Sequence, residues 1–206
     1  MNTIYPFLIS FFLIFLAELG DKTQLLILSV SSKSKVHNII LGIAIGSLLS
    51  HGIAITFGSS LIGLTNHTIL KAIKLFTYIT FLVIGITGFI PKKETTNKHQ
   101  NNLLQKLSNS SLNYVIIVAL CIIIGEIGDK TFLASIGLGV EYPNYKFSLI
   151  TGAVLGMIIS NSTAIIFGKF LEKHFSERFI EILSNIIFIL FGLIGILMLG
   201  GQKGRF

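Results

Sequence analysis

Six runs of apolar residues divide this chain, and each is about 20 residues long or longer. A helix of about 20 apolar residues crosses a hydrocarbon core roughly 30 Å thick, so each run can span a membrane. Hydrophobic residues make up 52% of the chain and charged residues only 12%, which is too little charge for a water-facing surface. The sequence therefore predicts an all-α membrane protein with six transmembrane helices in a lipid bilayer. The predicted spans are residues 4–29, 39–64, 70–90, 114–138, 148–170 and 179–200.

Basic residues outnumber acidic ones and give a formal net charge of +7. They lie in short segments between the apolar runs rather than in one patch, which is typical of loop charges at a bilayer surface. We therefore expect no nucleic-acid partner. The single cysteine, Cys121, excludes a disulfide within the chain and a cysteine-based metal site.

Two stretches of the chain are nearly identical. Residues 18–23 read Glu-Leu-Gly-Asp-Lys-Thr and residues 126–131 read Glu-Ile-Gly-Asp-Lys-Thr. Glycine, serine and phenylalanine residues further along the first half recur in the second half at almost the same separation as the two motifs, which indicates an internal duplication. The corresponding residues are Gly42, Gly46, Ser50, Phe57 and Gly58 with Gly152, Gly156, Ser160, Phe167 and Gly168, and Gly85 and Gly88 with Gly192 and Gly195.

The duplication predicts two three-helix repeats, residues 1–90 and 114–206, joined by a polar linker at residues 91–113. Because three is odd, the second repeat enters the membrane from the opposite side, so the repeats are inverted. Inverted repeats with interrupted helices are typical of secondary transporters. Excluding the two motif lysines, nine Lys and Arg residues flank the linker side and five the other side. This bias places the linker on the cytoplasmic side and both termini opposite.

The four acidic residues of the two motifs lie inside predicted spans, where a charge costs at least about 2.5–3.5 kcal/mol. The Glu and Asp of each motif are three residues apart, so they share one face of a continuous helix. The glycine between them allows the backbone to unwind and expose carbonyl oxygens. The candidate metal ligands are Glu18, Asp21, Thr23, Gln24, Glu126, Asp129 and Thr131.

A site of carboxylate, carbonyl and hydroxyl oxygens suits hard cations such as Ca²⁺, Mg²⁺ and Mn²⁺. Four carboxylates together with Lys22 and Lys130 sum to −2, which one divalent cation neutralises. Protons compete naturally for close, buried carboxylates. We therefore predict exchange of a divalent cation for protons, with roughly two protons per metal ion from this charge count.

A structural interpretation of the motifs is also open. Glu18 with Lys22, and Glu126 with Lys130, could form ion pairs between residues i and i+4 of a helix. Two matching copies, each with an additional Asp and Gly, favour the functional interpretation. The glycine pairs spaced by four residues in the second and fifth spans predict close helix packing.

Polar residues at equivalent places in the second and fifth spans are secondary candidates. Ser50 and His51 correspond to Ser160 and Asn161. They could line the ion pathway as hydrogen-bond donors, or they could serve as hydrogen-bonded helix contacts.

The paired motif, once in each three-span half, resembles the family of cation/proton exchangers that includes Golgi manganese/calcium transporters and the manganese exporters of bacteria, cyanobacteria and chloroplasts. The likeness covers nearly the whole chain. It implies Mn²⁺ or Ca²⁺ as the transported ion, protons as the counter-ion and no permanently bound cofactor. It also implies that Glu18, Asp21, Glu126 and Asp129 are ligands, assisted by Thr23 and Thr131.

Three other functions remain open at this point. An intramembrane lipid-phosphate enzyme would need an Arg or His beside a nucleophile, yet Arg178 and Arg205 both flank spans, so we expect no enzyme. An exporter of another cationic solute, such as a basic amino acid, would also use carboxylates. A membrane scaffold would not need them. The oligomeric state is open, with a homodimer as one option. The richness in Ile, Lys, Asn and Phe, with no Trp, suggests an AT-rich genome such as that of a plastid or a reduced bacterium. The host membrane would then be a plastid membrane (thylakoid or envelope) or a bacterial inner membrane.

Overall fold

A computed structural model describes residues 3–19, 34–63, 67–90, 113–174 and 177–201. Within these ranges the chain forms helices and no strand. The α-helices are α1 Ile4–Glu18, α2 Val36–Gly63, α3 His67–Thr87, α4 Tyr114–Glu126, α5 Lys130–Glu141, α6 Lys146–His174 and α7 Glu177–Gly201, with one 3₁₀ turn at Pro143–Tyr145. Nearly all of the predicted linker lies outside the described residues.

Four helical segments are long and apolar enough to cross a membrane, among the residues that the structure describes. They are Val36–Ile62, Thr68–Thr87, Pro143–Ile165 and Ile182–Gly200, and α1 and α4 are shorter apolar helices. Large apolar side chains cover the outside of the bundle: Phe147 is 84% exposed and Leu197 is 74% exposed. A surface of this kind fits lipid rather than water.

The predicted first and fourth spans are not continuous helices, which agrees with the expectation that the motif glycines allow the backbone to unwind. Helix α1 ends at Glu18, where Leu19 turns to an extended conformation with ψ 122°. The predicted span at 114–138 is broken at residues 127–129 into α4 and α5. Hydropathy reports how apolar a segment is, and apolar residues on both sides of a short break conceal the break. The rest of the first span, residues 20–29, lies outside the described residues.

Close packing at glycines joins helices of the two predicted halves. A Cβ added to Gly42 would lie 2.7 Å from Val118 Cβ, and one added to Gly46 would lie 2.8 Å from the Ala119 carbonyl oxygen. Helix α2 therefore packs directly on the backbone of α4, and both helices advance in the same direction along the contact. The predicted packing role of this glycine pair is confirmed.

The same contact recurs between α6 and α1. A Cβ on Gly156 would lie 2.7 Å from the Phe11 carbonyl oxygen, and Gly152 lies against Phe7 and Ser10. Phe7 and Phe11 precede the first motif by the same number of positions by which Val115 and Ala119 precede the second. Each short helix that ends in a motif glutamate thus packs on the long helix of the other half.

Helices α3 and α7 form a third contact of this kind. Gly85 lies against Ile189 and the Asn185 carbonyl, and Gly192 lies against Leu82 and the Tyr78 carbonyl. Between these pairs a core of buried apolar side chains contains Leu13, Ile14, Ile43, Ile122, Leu138, Met157 and Phe188. The glycine contacts hold the short helices α1 and α4 against the long helices α6 and α2.

Candidate functional site

Three carboxylates converge in the centre of the bundle. One oxygen each of Glu18, Glu126 and Asp129 lies within 4.8 Å of the other two. Both glutamates are completely buried, and Asp129 is partly exposed. Carboxylates this close repel one another when ionised, so the cluster favours a bound cation or protons.

The two glutamates occupy equivalent positions in the backbone. Glu18 is the last residue of α1 and Glu126 is the last residue of α4. The next residue is extended in both cases, with φ −62° and ψ 122° at Leu19 and φ −60° and ψ 115° at Ile127. The carbonyl end of a helix carries partial negative charge, so both helix ends add attraction for a cation to that of the carboxylates.

Helix lengths place the cluster deep in the bundle. Glu18 lies about 21 Å along α1 from its first residue, and Glu126 lies about 18 Å along α4, at 1.5 Å per residue. A hydrocarbon core is roughly 30 Å thick. Both helices are shorter than such a core is thick, and their last residues, Glu18 and Glu126, are completely buried within the bundle. Ion sites formed by interrupted helices commonly lie near the middle of a membrane.

Gly128 makes the break between α4 and α5. Its φ of +84° lies in the left-handed region, which glycine adopts without steric cost and other residues rarely adopt. The backbone N–H of Asp129 donates to the Glu126 carbonyl at 2.9 Å, which closes a tight turn. Asp129 then stands immediately before the first residue of α5. The predicted unwinding at the motif glycine is confirmed in the second copy.

This break corrects two expectations about the second motif. Glu126 and Asp129 do not share one helical face, because Glu126 ends α4 and Asp129 lies beyond the break; the turn, rather than helical spacing, brings them together. Lys130 begins α5, so it is not four residues along one helix from Glu126. The helical spacing on which the predicted ion pair of Glu126 and Lys130 depends is therefore absent from this described segment.

Thr131 is completely buried and supports Glu126. Its hydroxyl donates to Glu126 Oε2 at 2.6 Å and lies 3.5 Å from Asp129 Oδ2. The bond orients one carboxylate oxygen, while the hydroxyl lone pairs can still accept from or coordinate another group. Thr131 therefore links the carboxylate at the end of α4 to the first turn of α5.

The secondary candidates on α2 and α6 lie in corresponding places. Ser50 is one turn beyond Gly46, and Glu126 is one turn beyond Ile122, the residue that Gly46 touches. Continuing this register places Ser50 at the level of Glu126. The equivalent contact of Gly156 places Ser160 at the level of Glu18 by the same reasoning. Both serines are buried.

His51 and Asn161 are buried and partly satisfied. His51 Nδ1 lies 2.9 Å from Ser135 Oγ in a hydrogen bond, and Asn161 Nδ2 donates to the Met157 carbonyl. His51 Nε2 and Asn161 Oδ1 are buried without a partner among the described residues. Ser135 was not predicted, although it lies four residues after Thr131 on the same face of α5, and that spacing is the signal that could have found it.

Four candidates of the first motif lie outside the described residues. They are Asp21, Lys22, Thr23 and Gln24. The structure therefore brings together both glutamates, Asp129 and Thr131 from the predicted ligand set.

Comparison with known proteins finds similarity along most of the chain. A family model described as "Divalent cation/proton antiporter GDT1" matches residues 6–96 and 114–202. A Vibrio cholerae protein named "Putative manganese exporter" is 32% identical over 162 residues, which are 78% of this chain and 75% of that protein. The Synechocystis protein "GDT1-like protein sll0615" is 25% identical over 88% of this chain and 92% of its own length.

A shorter match is found to the Saccharomyces cerevisiae protein "Divalent cation/proton antiporter GDT1". The two are 32% identical over 76 residues, which cover 37% of this chain and 26% of the yeast protein. No solved structure matches the chain.

Proposed function

Because the chain belongs to the GDT1 family of divalent cation/proton antiporters, and is thus a multi-pass membrane transporter rather than an enzyme, we propose that it exchanges Mn²⁺ for protons. The convergence of Glu18, Glu126 and Asp129 within 4.8 Å carries this proposal. It is a buried cluster of hard oxygen ligands at the ends of two interrupted helices. The transported ion binds between these carboxylates.

The ligand chemistry selects the class of ion. Carboxylate and hydroxyl oxygens suit Mn²⁺ and Ca²⁺, whereas soft ions prefer Cys or Met sulfur. The name of the Vibrio relative, whose match covers 78% of this chain, supports Mn²⁺ as the ion and export as the role. Ca²⁺ is the second candidate, since it accepts a similar oxygen shell.

Protons complete the cycle at the same carboxylates. An empty, fully ionised cluster would carry several buried negative charges, and moving such a site past a low-dielectric barrier is costly. Protonation of two carboxylates replaces the two charges of the metal ion and removes this cost. Thr131 holds Glu126 in place in either state, because a hydroxyl can donate to a carboxylate or accept from a carboxylic acid.

The site also includes Asp21 in this proposal, by equivalence with Asp129 in the second motif. Thr23 and Gln24 follow it as further oxygen donors. Ser50 and Ser160 lie at the levels of the two glutamates and line the route to them. The described ligands converge within one chain, so exchange requires no second copy, and the homodimer stays a prediction.

The architecture that we propose is six spans in two inverted repeats, residues 1–90 and 114–206 around the linker 91–113. The separate family matches to residues 6–96 and 114–202 support it. So does the recurrence of the glycine contacts between halves. Tyr5 near the start of α1 packs edge-on against Tyr142 at the end of α5, with ring centroids 6.1 Å apart, as expected if both lie on one side of the membrane. The host membrane is bacterial or plastid: one relative comes from the bacterium Vibrio cholerae, and a rice relative, 24% identical over 90% of this chain, is named "GDT1-like protein 2, chloroplastic".

Reconstituted liposomes with a trapped pH dye test the proposal. A Mn²⁺ gradient should move protons in the wild type and not in Glu126→Gln. Glu177→Gln is the matched control, because Glu177 begins α7 and belongs to neither motif. Parallel Ca²⁺ and lysine gradients separate the ion candidates from a basic solute. If wild-type protein moves no protons under either metal gradient, the exchange proposal fails.

A further inference from the structure

A second polar cluster lies at the other end of α5. Glu141 is the last residue of this helix. Its Oε2 accepts a hydrogen bond from the Tyr78 hydroxyl and lies 3.2 Å from Lys74 Nζ. The Lys74 and Glu141 side chains are 23% and 26% exposed. Two side chains of α3 therefore hold the end of α5 through a charge-assisted contact.

A cavity opens beside this cluster. Its volume is about 510 Å³. It lies at one end of the bundle and is lined by residues near the starts and ends of several helices. Tyrosines are concentrated there, as at membrane–water interfaces. We name this cavity the mouth; it is lined by Tyr5, Glu141, Tyr142, Pro143, Asn144, Tyr145 and Met198.

A second, smaller cavity shares part of its lining with the mouth. A smaller cavity of about 100 Å³ shares Glu141 with the mouth and is also lined by Tyr78, Phe81 and Leu138. Leu138 is 1% exposed and Phe81 is 3% exposed. Leu138 precedes Glu141 by three residues on α5, so buried apolar packing lies beside Glu141 on the side of the helix start.

Helix α5 connects the mouth to the carboxylate site as one short rigid element. Its 12 residues rise about 18 Å at 1.5 Å per residue. Thr131 in its first turn bonds Glu126, and Glu141 in its last turn bonds Tyr78. A turn with positive φ at Gly128 precedes the helix and a 3₁₀ turn follows it. A shift at either end of α5 is therefore transmitted to the other end.

The contacts of α5 with its neighbours suit a sliding or tilting helix. A Cβ on Gly137 would lie 2.7 Å from Phe81 and 2.7 Å from Thr77 on α3, and Gly139 lies against the Ile55 carbonyl on α2. Glycines present smooth backbone surfaces, over which packed helices can move by small amounts. The polar contacts of Glu141 are the specific restraint on the end of the helix.

We propose that Glu141, Lys74 and Tyr78 form an ion-pair gate over the mouth, opened by a divalent cation. An arriving cation competes with Lys74 for the Glu141 carboxylate, because both are cationic partners of one acid and only the divalent ion brings two charges. Loss of the Lys74 contact frees the end of α5 and lets the ion pass Leu138. This inference rests on the proposed exchange, since it supplies the step by which the same ion passes between the carboxylate site and the side of the membrane on which the mouth lies.

Thiol labelling at Leu138 tests the gate without requiring transport. The native Cys121 is buried and is replaced by Ala, and Leu138→Cys reports access from the mouth. In nanodiscs, a charged maleimide should label Leu138→Cys about tenfold faster when Glu141→Gln is added, a change equal to about 1.4 kcal/mol. Glu177→Gln, at the opposite end of α7 from Met198, should leave the rate unchanged.

A charge swap separates a gate from general loosening. Lys74→Glu alone should accelerate labelling, and Lys74→Glu combined with Glu141→Lys should restore the slow rate. Equal labelling rates in Glu141→Gln and the parent protein would overturn the gate, as would a double variant that labels as fast as Lys74→Glu alone.

Added Mn²⁺ tests the competing ion. Labelling of Leu138→Cys should accelerate with Mn²⁺, and the acceleration should persist in Glu126→Gln, where the carboxylate site is disabled, but disappear in Glu141→Gln. Persistence of the Mn²⁺ effect in Glu141→Gln would overturn the proposal. The labelling rate measures how accessible residue 138 is and does not depend on exchange. The experiment can therefore contradict the gate without contradicting the exchange proposal, and the reverse.

Discussion

The two ends of helix α5 hold carboxylates in opposite ways. At its start, Asp129 lies within 4.8 Å of Glu18 and Glu126, so acids face acids. At its end, Glu141 faces Lys74 at 3.2 Å and the Tyr78 hydroxyl, so an acid faces a cation and a donor. The first end is deep in the bundle, and the second borders an open cavity.

This difference shows that buried carboxylates can serve two purposes within one membrane protein. A carboxylate with a lysine and a phenol beside it has its charge balanced in place and can hold two helices together. Several carboxylates gathered around one point instead favour a cation that comes and goes, or protons. Position along the same helix, rather than residue type, decides which role an acid takes.

The largest expected effect comes from Glu18→Gln. Loss of a metal ligand should weaken Mn²⁺ binding by more than the ~10–100-fold typical of losing a hydrogen-bond partner of a ligand. Glu141→Gln should change the dissociation constant far less, because Glu141 is about 18 Å away along α5. Isothermal titration of purified protein measures both. Equal losses of Mn²⁺ affinity in Glu18→Gln and Glu141→Gln would contradict the proposal that only the cluster at the start of α5 binds the ion.

Thr131→Val should have the next largest effect. It removes the hydroxyl that donates to Glu126 at 2.6 Å while keeping the shape of the side chain. We expect Mn²⁺ affinity, and the Mn²⁺ concentration for half-maximal exchange, to worsen by ~10–100-fold. Thr151→Val is the control, because Thr151 is exposed and bonds only carbonyls of its own helix. An unchanged affinity would show that Glu126 needs no such support.

Gly128→Ala should have the smallest of these effects. Alanine at φ +84° costs roughly 1–2 kcal/mol, which should lower the unfolding temperature in detergent and slow exchange. Gly52→Ala is the control. Gly52 lies within α2, and apart from the backbone of its own helix no atom lies within 4 Å of an added Cβ, so alanine there should be neutral or stabilising by up to ~1 kcal/mol. If the two variants have the same unfolding temperature and exchange rate, the positive φ at residue 128 does not require glycine.

Much of this protein follows from local sequence patterns. The apolar runs predict membrane helices because hydropathy is summed along a segment, and the helices described bear this out except at the two breaks. The glycine pairs predict close helix packing, which Gly46 and Gly156 show. The motif glycine predicts an unwound backbone, and Gly128 has one. The oxygen-rich motif predicts a hard cation, in agreement with the family to which the chain belongs.

Only the tertiary structure decided which groups meet. Glu18 and Glu126 lie in opposite halves of the chain, and they come together because glycine contacts bring each short helix against the long helix of the other half. Helical spacing suggested that Glu126 and Asp129 share a face, whereas a turn between two helices joins them. Glu141 showed no motif at all, since its partners lie far away in sequence on α3. Patterns along a chain report what each segment prefers, and convergence depends on packing between segments.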